Sequence, residues 1–137
     1  LTQEERFNTR DLTYSGWHRR MSTERFIGIE KAELLTMIDI DNVEYDHKTK
    51  EPLALIETAQ DRGQSYKTAT VTLNLAKMAN LPCCVALYKL AKHRNSAYPQ
   101  FQDIELFRMK RLWPAPEYQW RTLTPQEWVE LLWRLRK

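Results

Sequence analysis

The sequence predicts an α/β fold, a mixed four-stranded sheet flanked by helices, built as one domain over residues 1–137. Two observations carry this. Strand-like runs come in two pairs, 36–46 with 53–59 and 82–90 with 104–113. Helically spaced runs precede, separate and follow those pairs, giving the order helix, strand, strand, helix, strand, strand, helix. The length is enough for one domain with a real core, and three glycines with 42% hydrophobic residues describe an ordered chain rather than a disordered one.

Taken in order, residues 1–21, "LTQEERFNTRDLTYSGWHRRM", read as a polar N-terminal extension, irregular or short-helical. "STERFIGIEKAELL" follows with Ser22 or Thr23 as N-cap and Phe26, Ile29 and Leu34 as an imperfect helical stripe, weakened by Gly28. "TMIDIDNVEYD" (36–46) alternates, with Ile38 and Ile40 on one side and Asp39, Asp41, Val43 and Tyr45 on the other. "DHKTKEP" is turn material, and "LALIETA" (53–59) puts Leu53, Leu55, Glu57 and Ala59 on one face. The two runs predict a β-hairpin with a longer loop.

"SYKTATVTLNLAKMAN" carries Ala69, Leu73, Ala76 and Ala79 at helical spacing, and Asn80 and Pro82 stop it. "PCCVALYKL" reads as a buried strand, "HRNSAYPQFQD" as a loop, "IELFRMKRLW" as another strand and "PAPEYQWR" as a break. The C-terminal helix, 124–136, opens on a capping box of Thr124 and Glu127 with Pro125 at its first position. Trp128, Leu131, Leu132 and Leu135 form its apolar stripe.

Several function classes find no support. No apolar run approaches the roughly 20 residues that span a bilayer, and the polar start does not read as a secretory leader. The expectation is a soluble, cytoplasmic protein without membrane attachment. Cys83 and Cys84 are adjacent, so in a strand they point to opposite faces and are poorly placed to bridge; they read as small core residues. His18, His47 and His93 lack metal-ligand spacing, and there is no glycine-rich phosphate loop, HExxH, paired CxxC or GxSxG.

What remains is the carboxylate set. Burying a carboxylate is costly unless it is paired, hydrogen-bonded or bound to a metal, yet Asp39, Asp41 and Glu57 fall within apolar strand runs. On a hairpin, Asp39 or Asp41 comes beside Glu57, and two or three oxygens with water positions open suit Mg²⁺ or Mn²⁺. The plainer alternative is edge-strand carboxylates facing solvent or pairing with arginine. Charge bears on the same choice. Residues 86–137 hold 10 Lys/Arg against 5 Asp/Glu, whereas residues 1–85 hold 11 against 13. That asymmetry suits a polyanion lying across an acidic centre, although surface solubility alone would also produce it.

An Asp on a first strand, a hairpin and a Glu on the second, then a helix and a further strand, resembles the PD-(D/E)xK, or restriction-endonuclease-like, nuclease superfamily. "MIDIDNVEYD…PLALIETA", together with "YSGWHR" at Tyr14–Arg19, is similar to small phage and prophage proteins carrying "YSxWHR". The resemblance spans about residues 14–113 and implies an αβββαβ core and metal-assisted phosphodiester cleavage. It puts Asp41 (or Asp39) in the metal-binding Asp place and Glu57 in the (D/E) place, with Asp39, Asp41 and Glu57 as ligands of Mg²⁺ or Mn²⁺. The family lysine belongs two residues after Glu57, where this chain has Ala59. In some members it has moved to the following helix, and Lys67 is the candidate for that role, completing a catalytic set with Asp41 and Glu57.

Tyr14, Trp17, His18, Arg19 and Arg20 combine aromatic faces with cations, which suits base stacking and phosphate contact, against a plainer reading of a core Trp17 with solvated arginines. Arg108 and Lys110, alternating with Phe107 and Met109, are further candidates for phosphate contact. Trp113, Trp120, Trp128 and Trp133 read as packing residues, with Trp133 off the stripe and suited to a dimer contact. The partner expected is nucleic acid, DNA ahead of RNA. Ala59 keeps alive an inactive nuclease-fold protein that binds nucleic acid or a host protein, and a purely structural role is a third reading.

Overall fold

The structure, a computed structural model, describes residues 12–23 and 34–135. The chain divides into two compact units, residues 1–39 and 40–137. In the first, α1 (Thr13–Thr23) begins in the stretch expected to be irregular or short-helical and runs two residues past it, so Ser22 and Thr23, expected as N-cap positions, lie inside a helix instead. Of the helix expected over 22–35, Phe26, Gly28 and Ile29 lie outside the described residues.

The second unit is a five-stranded mixed sheet with two helices. Its strands are β1 (Asn42–Tyr45), β2 (Pro52–Gln60), β3 (Cys83–Arg94), β4 (Gln102–Trp113) and β5 (Arg121–Leu123), and they lie in that order across the sheet. Its helices are α2 (Thr70–Ala79) and α3 (Pro125–Trp133). Over the described residues the order is therefore αββαβββα, which departs from the αβββαβ succession by placing two strands, not three, before α2.

The expected hairpin is present. β1 pairs antiparallel with β2, Asn42 opposite Ile56 and Val43 opposite Leu55. Asp46 closes the turn: its carboxylate accepts from the N–H of Lys48 and Thr49, and its backbone N–H donates to Glu51 O. Only residues 42–45 of the expected strand 36–46 enter the ladder, however, so Asp39 and Asp41 precede β1 rather than belonging to it.

β2 runs parallel to β3, a geometry that needs a crossover, and α2 supplies it. The helix ends at Asn80 in the left-handed conformation (φ 57°), with Leu81 N–H bonded to Ala76 O, an ending that Asn accepts at little cost. β3 and β4 form a long antiparallel pair.

The sheet has five strands rather than four. β5 arises at the end of the segment expected to be a break, where Arg121–Leu123 pair antiparallel with β4. Three residues are too few to show alternation, so only the pairing reveals the strand.

Residues Ala54 to Glu57 are buried in succession, because both faces of β2 are covered. Ala54, Ile56, Cys84, Ala86, Phe107 and Met109 form one core cluster, against which Trp128, Leu131, Leu132 and Leu135 of the C-terminal stripe pack. Leu55, Ala76 and Cys83 form the other, joined by Leu73, Leu112 and Trp113. The capping box of α3 forms as expected: Thr124 Oγ1 accepts from Glu127 N–H at 3.1 Å, and Glu127 Oε1 accepts from Thr124 N–H at 2.9 Å. Among the described residues no helix is long and apolar enough to cross a membrane.

Candidate active site

Glu57 is 6% exposed and stands on the β2 face that carries Leu55, toward α2. A carboxylate there requires partners, and it has three. Asp41 N–H donates to Glu57 Oε2 at 3.2 Å, Thr72 Oγ1 of α2 donates to the same oxygen at 3.0 Å, and Lys67 Nζ lies 4.0 Å from Oε1. Thr72 is itself 1% exposed.

Asp41 meets Glu57 through the hairpin. Its Oδ2 accepts from Thr58 N–H at 2.9 Å, while its own N–H goes to Glu57, so the residue before β1 is fastened at two points to β2. Lys67 Nζ is 3.9 Å from Asp41 Oδ2. Thus one ammonium lies within 4.0 Å of both carboxylates, and Asp41 Oδ1 carries no hydrogen bond from the described residues. Lys67 comes from the irregular stretch between β2 and α2, not from the helix expected to begin at residue 65.

Asp39 falls in the first unit. Among the described residues no three His, Cys, Asp or Glu side chains come together as a metal-binding group. Asp39 instead lines a hollow of the N-terminal unit with Ser15, His18, Arg19 and Thr36. The reason is local: the period-two geometry starts at Asn42, so its face assignment does not extend back to residue 39. Asp41 and Glu57 are the two carboxylates that the hairpin brings together and that could hold a metal. Mg²⁺ commonly takes one or two protein carboxylates and completes its shell with water and substrate phosphate, so a two-carboxylate set matches its chemistry.

Arg108, expected at a phosphate, has other partners. Its Nε and Nη2 donate to the two oxygens of Asp61 at 2.8 and 2.7 Å, and Nη2 also donates to Gln64 O at 2.9 Å. This fork holds the Asp61 carboxyl well below its ordinary range, at about 2, with help from the Gly63 N–H, and raises the pKa of the guanidinium. Gly63 takes φ 79°, which lets its N–H turn back to Asp61 Oδ1.

Trp120 departs from the expected core role. Partly exposed, it donates Nε1–H to Ser65 O at 3.2 Å, and its ring lies 5.1 Å from the Arg108 guanidinium and 4.8 Å from Lys110 Nζ. Lys110 has no carboxylate partner among the described residues. Trp128 stacks on Phe107 at 5.0 Å, as a packing residue should, while Trp133 is 68% exposed.

In α1, Tyr14, Trp17 and His18 share one helical side. Tyr14 lies 5.8 Å from Trp17 and 5.9 Å from His18, and the Tyr14 and Trp17 rings are exposed. Arg19 and Arg20 follow on the same helix. Trp17 is therefore not a core residue.

Cys83 and Cys84 are buried and free, and burial pushes their thiols up to about 11 and about 12, which keeps them protonated and unreactive near neutrality. Sequence reasoning missed Thr72, Asp61 and Trp120. Nothing local marks them, since their roles lie in contacts with residues 15, 47 and 55 positions away.

No protein-family model, curated protein or solved structure matches this chain.

Proposed function

We propose that the chain is a metal-dependent nuclease of the restriction-endonuclease-like type, cutting phosphodiester bonds of nucleic acid, with DNA the favoured substrate. The observation that carries the reading is the placement of Lys67. Its ammonium lies 3.9 and 4.0 Å from the Asp41 and Glu57 carboxylates, so a lysine reaches the acidic pair although Ala59 occupies the family position. Asp41 and Glu57 are the residues that would hold Mg²⁺ or Mn²⁺, which when bound supplies charge stabilisation and an activated water. The chain's own part is positional. Thr72 and the Asp41 N–H hold Glu57 Oε2, leaving Oε1 toward Lys67, and Lys67 Nζ can donate to a water or phosphate oxygen entering beside the pair. Tyr14, Trp17, His18, Arg19, Arg20 and Lys110 are the proposed contacts to the strand, while Arg108 acts inside the fold.

The test is cleavage by wild type, Lys67→Ala and Glu57→Ala on single-stranded, duplex and branched DNA and on RNA, with Mg²⁺ and with Mn²⁺. The expected result is cleavage by wild type alone. Cleavage retained by Lys67→Ala removes that residue from the machinery. Salt-sensitive binding without any cleavage replaces the enzyme by a nucleic-acid-binding module, the reading that Ala59 favours.

A further inference from the structure

We infer that Arg108 and Trp120 are positioning residues for Lys67, acting by clamping the loop that delivers it. Lys67 sits in a stretch, residues 61–69, with no helix or strand of its own to aim the side chain. Its two ion pairs are long, at 3.9 and 4.0 Å, beyond the roughly 2.7–2.9 Å of a charge-assisted hydrogen bond, so they do not by themselves fix the path of the loop.

The order comes from β4, across β3 from the hairpin, on the sheet face that carries Glu57. Arg108 on β4 makes a bidentate bond to Asp61 and a third bond to Gln64 O, with side chains only 24% and 18% exposed. Charge-assisted forks of this geometry are roughly twice as strong as neutral hydrogen bonds. Trp120 then holds Ser65 O, two residues before Lys67, and its ring lies against the Arg108 guanidinium. Gln64 Nε2 ties the loop back to Gln60 O at the end of β2. With Ser65 anchored, only about 7 Å of chain separates a fixed point from Lys67. Releasing the clamp therefore frees Lys67, while Asp41 and Glu57 stay joined through β1 and β2.

The loop assignment stands on geometry, and only its catalytic consequence rests on the nuclease reading. The experiment uses Trp120→Phe, which keeps the ring and removes the donor, and Arg108→Lys, which keeps the charge and removes the fork. Trace acylation by an amine-reactive ester, read by mass spectrometry, should show Lys67 severalfold more reactive in both variants, with exposed Lys50 unchanged as reference. Metal-dependent cleavage should fall up to about a hundredfold in both, at a temperature where each variant's thermal melt shows it fully folded. Unchanged Lys67 reactivity overturns the proposal, as does a rise in reactivity shared equally by Lys50, which marks general loosening of the fold. If wild type cuts nothing, the nuclease reading fails and the acylation pattern alone decides the clamp. If Arg108→Lys does not fold, Trp120→Phe decides it.

Discussion

Glu57 shows how a single buried carboxylate is made tolerable. Its Oε2 takes one backbone and one hydroxyl donor, and Oε1 faces an ammonium. Replacing Thr72 by valine keeps the shape but deletes the hydroxyl at a site 1% exposed, leaving a buried acceptor one donor short. The expected loss is about 1–3 kcal/mol, measured as a lowered urea midpoint with unchanged slope. At the same scale, millimolar Mn²⁺ should raise the melting temperature of wild type, because an ion held only by the folded state stabilises it by mass action. The rise should shrink in Glu57→Gln, and equal shifts in the two proteins would remove Glu57 from the metal site. That an acidic pair lies at this hairpin was legible in the sequence, since Asp41 and Glu57 interrupt apolar runs. The Thr72 donor was not, because a threonine in an amphipathic helix looks the same whether it faces water or a carboxylate.

α3 begins on a reciprocal capping box with Pro125 behind it, and its apolar side covers the Phe107–Met109 cluster. Thr124→Ala removes one side of the box and should cost about 1 kcal/mol, read by chemical denaturation, with Thr124→Ser restoring most of it. A loss below a few tenths of a kcal/mol would mean that packing alone fixes the helix start. The start and the apolar stripe of this helix were readable, because a capping box and a 3.6-residue stripe are local signals; its end was not, since the helix stops at Trp133 and not at 136. β1 and β5 were not. β1 is shorter than its alternating run, and β5 follows "PAPEYQW" and spans three residues, so both strands are defined by what they pair with rather than by pattern.

Across the whole molecule, the Asp61–Arg108 fork links the end of β2 to β4, skipping over β3. This is a pH-dependent tie of definite sign. The folded pKa, about 2, lies below the ordinary 3.8, so the contribution is complete above pH 4 and is lost as pH falls toward 2. Asp61→Asn should be less stable than wild type at pH 6, and the difference should close between pH 4 and pH 2. Comparing the two proteins at each pH isolates this carboxylate from the others that titrate in the same range. A gap that stays constant down to pH 2 would show that the fork carries no linked proton.

By itself the sequence determined the α/β class, the first hairpin, the crossover helix, the long strand pair and the C-terminal helix. Each of these is written in periodicity, turn residues and caps within a few positions of one another. It also marked Asp41 and Glu57, because charge inside an apolar run stands out locally, and it named Lys67 through a resemblance rather than through spacing. Only the tertiary structure decided that Asp39 precedes the β1 ladder, that Arg108 grips Asp61 instead of facing outward, and that Trp120 holds the loop before Lys67. Those outcomes depend on contacts 47 and 55 residues apart in the chain. Such contacts are set by strand order and register, and no local pattern encodes which distant side chains the finished sheet brings within hydrogen-bonding reach.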